Sequence, residues 1–198
     1  MDMHGLINRA IERFVRDTYG RDVWGTVMRR AGLDYTEFEA MLTYEEHVTH
    51  DVLGALADVL GRPLQDILED IGTYLVSHPN VEALRRLLRF GGPTFTEFLH
   101  SLDDLPARAR LAVPDLALPE LELRERGDGR FSALCRSRTP GFGHVMVGLL
   151  RALADDYGAL VLLDHKGRRD GLEVIEIRLL AVEHASGRRF DLGVGAVK

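Results

Sequence analysis

The sequence predicts an α+β fold, with a helical N-terminal lobe followed by an antiparallel β-sheet lobe that carries one packed helix. Three observations support this. In the first half, apolar residues recur at helical spacing, as in Leu6, Ile7, Ala10, Ile11, Phe14 and Val15. From Val113 onward the texture changes to short alternating runs separated by Pro114, Pro119 and glycine-containing turns. One long amphipathic stretch, residues 142–157, interrupts those runs with Val145, Val147, Leu149, Leu150, Leu153 and Ala154.

The first helix ends at Tyr19-Gly20, and Trp24, Val27, Met28 and Ala31 form a second stripe closed by Gly32. A short helix is expected over 36–42. Thr43 with Glu46 three residues on has the form of a capping box for a helix over 44–60, which stops at Gly61-Arg62-Pro63. Pro63 suits the first turn of the next helix, to about residue 76, and 81–89 is a shorter one ended by Gly91-Gly92. Thr94 caps a helix whose stripe is Phe95, Phe98, Leu99 and Leu102. Inside that helix Pro106 would remove a hydrogen bond and clash with the preceding turn, a cost of about 3 kcal/mol. A break is therefore expected, with Asp103 or Asp104 capping a new segment over 105–111. The runs 121–125 and 131–135 flank Gly127-Asp128-Gly129, a hairpin signal. Further strands are expected over 160–163, 172–183 and 190–194, with turns at Gly167 to Gly171 and at Ser186-Gly187.

Composition excludes several function classes. The 198 residues are 45% hydrophobic and 28% charged, ordinary for a globular chain that buries its own core. Net charge is −6 with acids and bases mixed, so no basic block argues for nucleic acid or an anionic membrane. Arginine pairs such as Arg29-Arg30 and Arg85-Arg86 read as solvated helix faces, and so do the acidic pairs Asp103-Asp104 and Asp155-Asp156. The one cysteine, Cys135, permits no intramolecular disulfide and fits a reducing cytosol. The charged N-terminus is not a signal peptide, and no apolar run approaches the roughly 18 residues of a membrane span. A cytoplasmic location is expected. His47 and His50 beside Glu46 and Asp51 share a helix face but do not assemble the four ligands of a structural zinc site. No Walker loop, Gly-x-Ser-x-Gly elbow or Cys-x-x-Cys is present, and nothing points to an enzyme.

Across nearly its whole length the chain resembles the H-NOX (heme nitric oxide/oxygen binding, HNOB) domain family. The resemblance lies in Met3-His4-Gly5 at the start, Tyr19-Gly20 followed by Trp24, and Ala31-Gly32. It continues through Leu60-Gly61, Leu68 to Gly72-Thr73-Tyr74, and Phe98-Leu99-His100-Ser101-Leu102-Asp103-Asp104-Leu105. Pro114-Asp115-Leu116, Pro119, Gly148-Leu149-Leu150 and Tyr157-Gly158 complete it. It implies one H-NOX-like domain over 1–198, with 1–92 as the helical lobe and 93–198 as the pocket helix plus the sheet lobe.

The resemblance also implies heme as cofactor, and here the chain departs from the family twice. Pro106 stands where the family places its iron-ligating histidine, and proline has no side-chain donor to give a metal. The family's Tyr-x-Ser-x-Arg propionate clamp is matched by Cys135-Arg136-Ser137-Arg138-Thr139, so only Ser137 remains in register. Neighbouring strand residues face opposite ways, so neither Arg136 nor Arg138 simply replaces an arginine at Thr139. Pro119 aligns with the proline that presses on the macrocycle, Ile7 with an apolar distal position, and Val145 lies near the family's distal tyrosine. Such an apolar distal side favours nitric oxide over stabilised oxygen where iron is present. His144 is the alternative ligand. His100, about 120° off the helix face of position 106, reads as an exposed histidine.

The expectation is an H-NOX-type sensory or ligand-binding domain, related to heme-based nitric oxide and oxygen sensors, with heme binding altered or lost. Its pocket, with Cys135 and Ser137 among the lining residues, would take heme held differently, another tetrapyrrole or an apolar small molecule. The implied partner is a histidine kinase or a diguanylate cyclase. The alternatives are a ligand-free protein-interaction module on the same fold, or a redox sensor acting through Cys135.

Overall fold

The computed structural model describes residues 2–116, 118–137 and 140–190. The helical part comprises α1 (Gly5–Thr18), α2 (Arg21–Arg30), α3 (Glu46–Leu60), α4 (Leu64–Ser77) and α5 (Glu82–Arg89). Two short strands, β1 (Asp2–His4) and β2 (Thr43–Glu45), pair antiparallel beside them. Then come α6 (Phe95–His100), a single 3₁₀ turn (Leu102–Asp104) and α7 (Leu105–Ala112). The hairpin β3 (Glu120–Gly127) and β4 (Arg130–Arg136) precedes α8 (Phe142–Tyr157), which leads into β5 (Leu160–Arg169) and β6 (Leu172–Ala181). The last four strands form one antiparallel sheet in the order β3-β4-β6-β5. Among the described residues no helix is long and apolar enough to cross a membrane.

Two hydrophobic cores result. The first gathers Phe14 and Val15 of α1, Trp24, Val27 and Met28 of α2, Leu56 of α3, and Ile67 and Ile71 of α4. The second packs Met146, Leu150 and Leu153 of α8 on Phe131, Ala133, Ile175 and Ile177 of the sheet. Phe98, Leu99, Leu102 and Leu105 complete it. Helices α4 and α8 join the two halves almost backbone to backbone. A Cβ on Gly148 would overlap the Glu69 carbonyl, and one on Gly72 would overlap the Val145 carbonyl. Only glycine permits that approach, because any side chain there would need the space occupied by the partner helix.

Several sequence expectations need correction. Residues 36–42 are not helical. Their polar groups bond elsewhere: the Phe38 amide donates to Glu12 Oε2 (2.9 Å), Trp24 Nε1 to the Thr36 carbonyl (2.7 Å), and the Glu39 amide to Tyr44 Oη (2.8 Å). Phe38 is buried against Trp24, Tyr35 and Tyr44, so tertiary packing fixes this segment. Thr43 and Tyr44 belong to β2, and α3 starts at Glu46 with no side-chain cap. Phe190 lies outside any strand, and the rest of the strand expected to 194 lies outside the described residues. Arg85 and Asp156 are buried rather than solvated, at 3% and 5% exposure.

The remaining junctions follow the sequence. Thr94 and Glu97 form a full capping box. The break at Pro106 is the 3₁₀ turn, after which Pro106 occupies the first turn of α7, where its missing N–H costs nothing. Asp104 makes no side-chain cap there. Asp103 instead accepts from the Leu123 amide (2.7 Å) and ties this turn to β3. In the β3–β4 hairpin Asp128 and Gly129 both have positive φ, 52° and 68°, as a tight turn requires.

Candidate functional site

Pro106 is buried at the start of α7, beside Leu105 and Ala109, which are also buried. Its carbonyl accepts from Arg110 Nε (3.2 Å). Pro119 is half-buried just before β3. Ile7 on α1 and Val145 on α8 are half-buried, and both pack against the helical core. Cys135 is fully buried on β4, directly opposite Glu173 of β6. Ser137 is half-buried, and its carbonyl accepts from Arg168 Nη2 (3.1 Å). Arg138 and Thr139 lie outside the described residues.

His144 belongs to a polar cluster that sequence reasoning did not assemble. Its ring lies 4.1 Å from that of His165, centroid to centroid. His144 Nδ1 is 3.4 Å from Glu69 Oε1, and Arg151 Nη2 donates to the other oxygen of Glu69 (2.8 Å). His165 Nε2 is 3.0 Å from Glu173 Oε2. Glu173, 1% exposed, also accepts from the Gly141 and Gly143 amides (3.1 and 3.0 Å). Its carboxylate thus satisfies amides at the start of α8 that the helix itself leaves unpaired. The sequence carried one signal for this. Glu173 is an acid in the inward register of β6, in line with Ile175 and Ile177.

The start of α8 is thus tied to Glu173 of β6, with His144 stacked on His165 beside it and Cys135 across the strands from Glu173, while Val145 packs on the helical core. Ile7 packs with the helical core, while Pro106 and Pro119 belong to the α7–β3 side.

The donor set does not fit a heme iron ligated in the family's way. Pro106 has no side-chain donor atom. Cys135 is held as a neutral thiol, because burial and then the Glu173 carboxylate push its pKa up to about 12. His144 is engaged by Glu69 and His165. His100 is half exposed, pairs with Glu125 (3.6 Å) and meets the edge of Phe131. Among the described residues no three His, Cys, Asp or Glu side chains are placed to hold a metal ion. Two surface recesses, of about 470 and 280 Å³, are lined by none of Ile7, Pro106, Pro119, Cys135, Ser137, His144 or Val145.

A sequence model of the HNOB family, described as Haem-NO-binding, matches residues 4–165. Soluble guanylate cyclase gcy-31 of Caenorhabditis elegans is 27% identical over 154 residues, which is 78% of this chain and 22% of that protein. Soluble guanylate cyclase 89Da of Drosophila melanogaster is 22% identical over 158 residues, 80% of this chain and 24% of that protein. This chain thus spans about a quarter or less of these relatives. A mutant H-NOX protein from S. oneidensis in the Fe(II) ligation state superposes with a TM-score of 0.77 at 19% identity, covering 91% of this chain and 98% of that one. An H-NOX protein from S. oneidensis in the Fe(II)NO state gives 0.74 at 18% identity, covering 89% and 99%. At these identities the structural likeness concerns the fold.

Proposed function

Since this chain belongs to the Haem-NO-binding family, we propose that it is an H-NOX-type sensory domain in which iron–histidine ligation has been lost and heme binding is altered or absent. The observation that supports this reading is Pro106, buried in the first turn of α7, which the sequence resemblance aligns with the family's histidine. Proline there leaves the helix intact and removes the ligand. The domain spans residues 1–198, with 1–92 as the helical lobe and 93–198 as the pocket helix and sheet lobe. A signal would pass as a shift between the two lobes across the α4–α8 joint. The partner is a separate or linked output domain such as a histidine kinase, a diguanylate cyclase or a guanylate cyclase. The lone Cys135 suits work in the cytoplasm.

The test is hemin titration of the purified protein, followed by absorption and by heme-to-protein stoichiometry. We expect only a broad band of unligated hemin with no stoichiometric end point. A sharp Soret band at one heme per chain would overturn the proposal and direct attention to His144, Cys135 and His100 as replacement ligands.

A second reading is a ligand-free interaction module. It is favoured by Leu105, Met146 and Leu149 joining one continuous buried cluster with Phe98 and Leu102. Under that reading apolar dyes and tetrapyrroles without iron also fail to bind. The Cys135 redox reading has a separate test: an oxidant response that survives Cys135→Ser would end it.

A further inference from the structure

We propose that the recess at the β5–β6 hairpin is a binding site for a small multivalent oxyanion of the phosphate class. Its volume is about 470 Å³. One wall is Arg136 at the end of β4, the other is Lys166, Gly167, Arg168 and Arg169 with Asp170 at the turn, and Leu172 and Val174 form the floor. Cys135, Glu173 and Ile175 share the register of Ala133 and Ile177, which pack in the core with α8, so their alternating neighbours Arg136, Leu172 and Val174 occupy the opposite face of the sheet. The recess therefore looks away from α8 and from the site described above, and it is independent of any heme chemistry.

The backbone is irregular at this point. Pairing passes from His165↔Ile175 to Arg168↔Glu173, so Lys166 and Gly167 together oppose the single residue Val174. Gly167 has φ +84°, which a glycine tolerates at a bulge. Such a bulge twists its strand and re-aims the side chains around it. Arg169 pairs with Leu172 across a two-residue turn whose Asp170 and Gly171 both have positive φ, so the hairpin that carries Arg168 and Arg169 is short and tightly fixed. Arg168 Nη2 donates to the Ser137 carbonyl and holds the hairpin wall to the end of β4.

Charge completes the argument. Among the described residues that line the recess, Arg136, Lys166, Arg168 and Arg169 stand against one acid, Asp170, on a chain whose net charge is −6. Three exposed acids stand beside Arg136 and Lys166. Glu120 is 3.7 Å from Arg136, and Asp164 and Glu176 flank Lys166. Exposed pairs of this kind contribute little to stability, so an incoming anion displaces them readily. Guanidinium groups offer paired N–H donors that match phosphate oxygens. The cations stand on two facing walls, the end of β4 and the β5 side of the hairpin, which suits a ligand with two or more charged groups better than a single monoanion.

The test is an amide chemical-shift titration of the full chain with inorganic pyrophosphate at low ionic strength. We expect saturable one-to-one binding, with shifts confined to residue 136 and to 166–174, that weakens as salt is raised. The exposed double reversal Arg136→Glu/Arg169→Glu should weaken binding at least about ten-fold without lowering the melting temperature. The control Arg29→Glu/Arg30→Glu, on the exposed face of α2, should leave it unchanged. Non-saturable shifts spread over all cationic faces, or equal weakening by the α2 control, would overturn the proposal.

Discussion

At the scale of single residues, burial of charge decides most of what is specific to this chain. Arg85 Nε donates to Asp156 Oδ1 (2.9 Å), with side-chain exposures of 3% and 4%. Burial alone would lower the guanidinium's pKa, but the Asp156 and Glu82 carboxylates together more than reverse that. Arg89 lies 3.6 Å from the second Asp156 oxygen, with its guanidinium 3.7 Å from the centre of the Tyr157 ring. Removing one partner strands the other charge, so Asp156→Ala should destabilise the fold by about 3–5 kcal/mol, read as a fall in the urea midpoint. Cys135 gives a pH-dependent case. Its thiol is raised from 9.0 to about 12 in the folded chain, chiefly by burial. The folded state therefore holds its proton more tightly, and this contribution is complete below about pH 9 and lost as pH rises through about 12. Wild-type stability should fall over that window more steeply than that of Cys135→Ala, and native Cys135 should resist alkylation at neutral pH until the chain unfolds. Little of this was legible in the sequence. Arg85-Arg86 and Asp155-Asp156 look like any charged helix pair, because a partner 71 residues away leaves no local pattern.

At the scale of elements, most of the fold was legible where a local rule acts alone. The capping box at Thr94, the stop at Gly61, the turn at Asp128-Gly129 and the helix over Phe142–Tyr157 each have a cause within a few residues. Residues 36–42 failed because Glu12, Trp24 and Tyr44 claim the polar groups a helix would have used. β1 was missed for a similar reason: three residues reveal no alternation, and the strand exists only through its pairing with β2. The α4–α8 crossing offers a direct test of packing. Gly148→Ala places a methyl group against the Glu69 carbonyl, so the helices must separate. We expect a loss of about 2–3 kcal/mol in chemical denaturation, with Gly54→Ala, where a Cβ meets nothing within 4 Å, as a control that keeps or gains stability. Unchanged stability of Gly148→Ala would mean that the crossing is looser than described.

At the scale of the whole molecule, two cores share the α4–α8 joint, and the residues expected to line a pocket are divided between the sides of that arrangement. Ile7 and Val145 lean on the helical core, Cys135 stands across the strands from Glu173, whose carboxylate meets His165 and through that ring His144, and Pro106 lies in the first turn of α7. The family frame was readable from motifs spread along the chain. The histidine–carboxylate cluster was not, because Glu69, His144, His165 and Glu173 are gathered only by folding. The central claim is the proposal that Pro106, where the resemblance places the family's histidine, denies heme iron its protein ligand. The measurement that tests it most directly is the absorption spectrum of wild type and Pro106→His, each reconstituted with hemin and reduced. The account expects no stoichiometric Soret band from wild type and a histidine-ligated band from Pro106→His. A wild-type spectrum already showing one ligated heme per chain would contradict it.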